Sequence, residues 1–102
     1  MTSCAQCHQP FGLPGSSLVA AISGSICGDE CTEAYYFCDR CGVYTVVVAW
    51  DCFNGSESFS ESGPVAKADG DAKVALIRRC DRTWDKKCGC EAHREYFNGA
   101  LD

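Results

Sequence analysis

Cys38-Asp39-Arg40-Cys41-Gly42-Val43-Tyr44-Thr45-Val46-Val47-Val48-Ala49-Trp50 places two thiols on a tight turn and runs straight into β-branched and aromatic residues. Two cysteines separated by two residues can aim both sulfurs at one point, and Gly42 tolerates the left-handed backbone that such a knuckle needs. From Val43 to Phe53 the composition is that of a strand. A redox-active C-x2-C would instead open a helix inside a βαβ unit, so the strand that follows favours metal ligation over dithiol chemistry.

Upstream, Cys27-Gly28-Asp29-Glu30-Cys31 leads into Thr32-Glu33-Ala34-Tyr35-Tyr36-Phe37. Acids at the front of this segment suit the positive end of a helix, and the segment is expected as a short helix. On a helix, Cys27 and Cys31 are four apart and share a face. A second knuckle, Cys4-Ala5-Gln6-Cys7, lies near the start. Cys4, Cys7, Cys27 and Cys31 therefore form the expected first site, with four thiolates around one Zn²⁺. Between them, residues 8–26 carry Pro10, Gly12, Pro14, Gly15 and Gly24 and read as loop and turn around an apolar patch at 18–22.

Downstream, residues 54–72 read as a polar, acidic loop, and Lys73 to Cys80 as a returning strand around Val74-Ala75-Leu76-Ile77. Glu91 to Asn98 reads as a helix ended by Gly99. The second expected site joins Cys38 and Cys41 to two of Cys88, Cys90 and His93, with Cys80 also in reach. Cys52 reads as a small buried hydrophobe. Cys27-Gly28 … Tyr36-Phe37 and Cys88-Gly89 … Tyr96-Phe97 form a faint repeat. The expected organisation is an N-terminal zinc unit over 1–37 and a second over 38–102, with both sharing one compact domain as the alternative. Two Zn²⁺ ions are expected.

Composition sets the frame for these sites. Ten cysteines in 102 residues are a density found in disulfide scaffolds and multi-zinc proteins. A chain this short needs staples beyond its core. No apolar run approaches membrane-span length, and the first residues lack a secretory signature, so a cytoplasmic address with reduced thiols is expected. The formal charge of −5 opposes general nucleic-acid binding. Six of the nine basic residues (Arg78, Arg79, Arg82, Lys86, Lys87 and Arg94) fall in one segment, interleaved with Asp81, Asp85, Glu91 and Glu95. A solvated mixed-charge face is favoured there over a phosphate-binding patch.

The first third of the chain resembles the treble-clef zinc fingers of the TRASH and MYM type. Cys4-Ala5-Gln6-Cys7, a 19-residue gap, Cys27-Gly28-Asp29-Glu30-Cys31 and Tyr35-Tyr36-Phe37 carry the resemblance. It implies a small metal-stabilised α+β fold of two tandem treble-clef or zinc-ribbon-like units, each with a knuckle, hairpin and short helix. The family's links to metal sensing, metal traffic and protein contacts do not fix a task. A rival motif is Cys4-Ala5-Gln6-Cys7-His8, the attachment sequence of c-type haem; Met1 as the sole methionine and the missing export signal count against it.

Catalytic zinc requires an open coordination position and a nearby acid or base, and none of the known motifs for it occurs. A non-enzymatic protein-interaction or adaptor module, with another protein as partner, is the expected function. Trp50, Phe53, Phe59 and Trp84 are its candidate anchors. A metal sensor or carrier with an exchangeable site and a nucleic-acid-contacting zinc ribbon are the alternatives.

Overall fold

The computed structural model describes residues 3–11, 18–52, 55–99 and 101. Four strands, β1 (Leu18–Ile26), β2 (Asp29–Cys38), β3 (Val43–Asp51) and β4 (Glu57–Ala66), form one antiparallel sheet in the order β1-β2-β3-β4. Two helices follow, α1 (Lys67–Arg78) and α2 (Glu91–Tyr96). No helix among the described residues is long and apolar enough to cross a membrane.

The strand expected at 43–53 corresponds to β3, the expected last residue Phe53 lying outside the described residues, and the helix expected over 91–98 corresponds to the shorter α2. The segment expected as a helix before Cys38 is instead β2. Its aromatic run explains the change. Tyr35 packs into a core on one face of the sheet with Ile22, Tyr44 and Val46, while Tyr36 packs on the other with Cys4, Phe11 and Cys38. A strand covered on both faces loses the apolar–polar alternation by which strands are recognised, and the β-preferring aromatics override the acids. Those acids lie beside a hairpin turn. Cys27 and Gly28 both have positive φ, at 53° and 85°, and Ile26 pairs with Asp29, which is the two-residue primed turn that suits strand twist. Leu18 to Ile26, expected as loop with an apolar patch, is the partner strand.

Residues 73–80 form no returning strand. Lys73 to Arg78 belong to α1, whose buried residues Gly70, Val74 and Ile77 recur at helical spacing, and Arg79 and Cys80 lie beyond its end. The four apolar residues Val74 to Ile77 fit either period when read alone. The returning strand is β4, placed in what reads as an acidic loop. Most of β4 is exposed, so its polar composition carries no strand signal, and Pro64 is tolerated because β4 lies at the sheet edge.

One face of the sheet buries Ile22, Cys31, Tyr35, Tyr44 and Val46 beneath Val74 and Ile77 of α1 and Tyr96 and Phe97 at the end of α2. Phenol groups pin this core. Tyr35 donates to Tyr96 and Tyr96 to Glu33, each at 2.6 Å. Tyr44 donates to Asp71, which also pairs with Lys67. The outer edge of β1 is covered by the chain between the helices, with Ser23 N–H donating to Thr83 and Ser25 N–H to Lys86.

Candidate metal centres

Two clusters of ligating side chains form within this fold. Cys4, Cys7, Cys38 and Cys41 bring their sulfurs within 4.8 Å of one another, and Cys80, Cys88, Cys90 and His93 do the same with three sulfurs and a ring nitrogen. Seven of the ten cysteines are thereby used.

The first cluster is made by two turns facing each other. Residues 3–10 fold back on themselves, with Ser3 bridged to Pro10 and Cys4 N–H donating to Gln9. Ala5 N–H donates to the hydroxyl of fully buried Thr45 on β3, and Phe11 stacks on Tyr36 at 5.3 Å. These contacts carry the knuckle to the β2–β3 turn, where Gly42 takes φ of 68° and closes onto Cys38. Cys7 and Cys38 sulfurs are 3.9 Å apart. Tetrahedral ligands at about 2.3 Å from an ion sit roughly 3.8 Å apart, whereas disulfide sulfurs sit at about 2.05 Å. The spacing is that of shared metal ligands.

This pairing corrects the sequence-based one. Cys4 and Cys7 were expected with Cys27 and Cys31, which depended on a helix. No helix forms there, so the shared face that would have aimed both sulfurs at one ion is absent. Cys27 sits exposed in the β1–β2 turn, and Cys31 is buried in the helix-covered core, its thiol pushed up to about 11 by burial and by Glu33. Cys38 and Cys41 thus face Cys4 and Cys7, not Cys88, Cys90 and His93. Cys52, half-buried at the β3–β4 turn, joins neither cluster. His8, the iron ligand of the haem motif, is exposed at φ of 63°.

The second cluster is assembled by the chain leaving α1 and entering α2. Cys80 follows α1, and its sulfur accepts the Arg82 N–H at 3.3 Å. Cys90 caps α2 by accepting the His93 N–H at 3.4 Å. Cys80 and Cys88 sulfurs are 3.7 Å apart. His93, with no exposed surface, is held from both sides. Its Nε2 is 2.9 Å from the Ser23 carbonyl, and its Nδ1 is 3.0 Å from the Cys80 sulfur and 3.5 Å from the Cys90 sulfur. A carbonyl can only accept, so Nε2 carries the proton and Nδ1 presents its lone pair to the sulfurs when the ring is neutral. That is the tautomer of a metal-ligating histidine fixed by an outer hydrogen bond. Cys80 is the ligand that sequence reading ranked last. Its signal was a lone cysteine eight residues before Cys88, and only the turn out of α1 brings it in.

Thiol acidity separates within each cluster. Burial raises Cys4, but the backbone N–H groups of Cys7 and Gln6 and the thiols of Cys7 and Cys38 outweigh it and bring it to about 7. Cys41 is pushed up to about 12 by the thiol of Cys7, then by burial and the other sulfurs. In the second cluster, burial opposes the shift of Cys90, yet the backbone N–H and ring of His93 and the neighbouring thiols bring it to about 6. Burial holds Cys80 at about 12. One sulfur ionises early and another late because like charges crowded together cannot all form without a cation. A divalent ion removes that conflict. Four thiolates, or three thiolates and an imidazole, make a closed soft-donor set, with every ligand of a four-coordinate ion supplied by the chain.

No family model, curated protein or solved structure matches the chain. The class therefore rests on the geometry alone: a small α+β chain with two Cys/His clusters able to hold metal ions.

Proposed function

We propose that this chain binds two Zn²⁺ ions in closed structural sites and acts without catalysis as a protein-interaction module in a reducing, cytoplasmic setting. The observation that carries the zinc reading is His93, buried, oriented by Ser23 and aimed at two cysteine sulfurs. Sulfur-dominated tetrahedral sets suit zinc above harder divalent ions. The first site reads as two facing knuckles in the manner of a zinc ribbon. The second, with ligands at the start of α2, is similar to a treble clef. The interaction reading is supported by Phe59 and Trp84, 72% and 74% exposed, and by the polar outer edge of β4, whose acids Glu57 and Glu61 suit a basic extended segment pairing along it.

Elemental analysis with native mass spectrometry tests the zinc reading. Two zinc equivalents per chain are expected; iron, one equivalent, or none would overturn it. For the contact surface, deuterium exchange with a lysine-rich extended peptide should protect β4 amides, and unchanged exchange would remove that role.

A metal carrier is the second reading, and one feature favours it. Cys80, Cys88 and Cys90 line a cavity of about 290 Å³ together with Arg79 and Arg82, giving the second site a face that competing ligands can reach.

A further inference from the structure

The basic segment between α1 and α2 is divided by the fold into two parts of different character. Arg79 faces Glu95 at 3.3 Å and Glu91 at 3.9 Å, forming an exposed ion-pair group. On the other side, Lys86, Lys87 and Arg94 line a cleft of about 360 Å³ with Ser25, Gly89 and Leu101. Its volume lies within the range of small-molecule sites. Glu30 stands 3.9 Å from Lys86, and exposed pairs of that length contribute little; the Asp85 carboxylate accepts the Lys87 backbone N–H at 2.9 Å. The Gly89 backbone is open: among the described residues, none beyond its chain neighbours has an atom within 4 Å of where a Cβ would stand, so a ligand can approach the main chain there. In a chain of formal charge −5, three cations around one concavity are a local reversal of sign that focuses anions.

We propose that this cleft binds a small phosphomonoester, with its phosphate among Lys86, Lys87 and Arg94 and its organic group against Leu101. Three cationic side chains match a dianion better than a monocarboxylate. The arginine offers a fork of N–H donors to two phosphate oxygens, and the lysines act as point charges. The cleft exceeds the needs of inorganic phosphate, and its apolar wall gives the organic part something to cover. Cys88 of the second cluster is also one of the cleft's lining residues, so loss of the metal it would hold should abolish binding.

The test is a ¹⁵N NMR titration of the zinc-loaded full chain with phenyl phosphate, at ionic strength held constant with sodium chloride. Inorganic phosphate, benzoate and a short single-stranded oligonucleotide run in parallel. Saturable shifts at Ser25, Lys86, Lys87, Gly89 and Arg94 are expected, tightest for phenyl phosphate. Arg94→Gln and Lys87→Gln should each weaken it by about tenfold, with metal content and the other resonances unchanged. Should Arg94→Gln disturb the fold, Lys87→Gln decides alone. Shifts spread equally over Arg78, Arg79 and Arg82, benzoate binding as tightly as phenyl phosphate, or preference for the oligonucleotide would each overturn the proposal. So would variants that lower metal affinity yet leave phosphate affinity intact, because the cations would then serve only to offset the thiolates.

Discussion

His93 has a demanding position because both of its ring nitrogens are committed, one to Ser23 and the other to the sulfurs. Replacing it separates the two roles. His93→Ala should bind one metal ion in place of two by native mass spectrometry. His93→Cys should restore the second ion but leave the Ser23 carbonyl without its donor, weakening that ion by about 10–100-fold in chelator competition. Cys31 gives the opposite outcome. The sequence pattern makes it a ligand, whereas the fold buries it among Ile22 and Tyr35 on the far face from Cys4. Cys31→Ala should keep both ions and cost about 1–2 kcal/mol from a small cavity. A lost metal equivalent in that variant would restore the sequence-based pairing.

At the level of elements, the sharpest case is the seating of α1 on β3. Gly70 faces the Tyr44 ring so closely that a Cβ would fall 2.0 Å from one of its ring carbons. Alanine in a helix interior gains about 1 kcal/mol over glycine, and overpacking costs about 1–3 kcal/mol. The ring cannot swing aside freely, since its hydroxyl is tied to Asp71. Gly70→Ala should therefore destabilise by about 1–2 kcal/mol in urea unfolding with both metals bound. A stabilised variant would show that α1 rides further from the sheet. These contacts also show which parts of the fold were legible in sequence. β3 could be read because its branched residues form a long run, and α2 because Gly99, which takes a positive φ, marks its end. β2 could not, because aromatics buried on two faces show no alternation. α1 could not, because its buried stripe opens on Gly70, which carries no apolar signal and whose place only Tyr44 explains. Ligand types were legible to the same extent: every residue of the second cluster was a candidate, but pairing depends on which turns the sheet brings together.

For the whole molecule, metal and proton compete for the same sulfurs. Cys4 and Cys90 hold their protons less tightly in the folded chain than at the ordinary value of 9.0, at about 7 and about 6. A depressed thiol favours folding above its unfolded value, and that contribution is lost as pH falls through the folded one. Cys41 and Cys80, both held at about 12, act oppositely in the metal-free chain and favour folding until pH rises through that range. Metal binding cancels this opposition by ionising every ligand thiol, so the loaded protein should lose stability in one direction, toward acid. Thermal melts should drop steeply below about pH 6 with metal release, because ions contributing about 10–16 kcal/mol each in small zinc peptides exceed the stability of a typical domain. The two ions should not leave together. The second cluster borders the Arg79–Arg82 cavity, and its loss should free the segment that holds Thr83, Lys86 and His93 from the β1 edge, while the β2–β3 pairing keeps its own clamp at Cys38 and Cys41. A graded chelator series followed by deuterium exchange should first remove one equivalent and deprotect α2, with β2 and β3 amides still slow. Simultaneous exposure of α2 and the β2–β3 hairpin would mean that neither clamp holds its part of the sheet without the other.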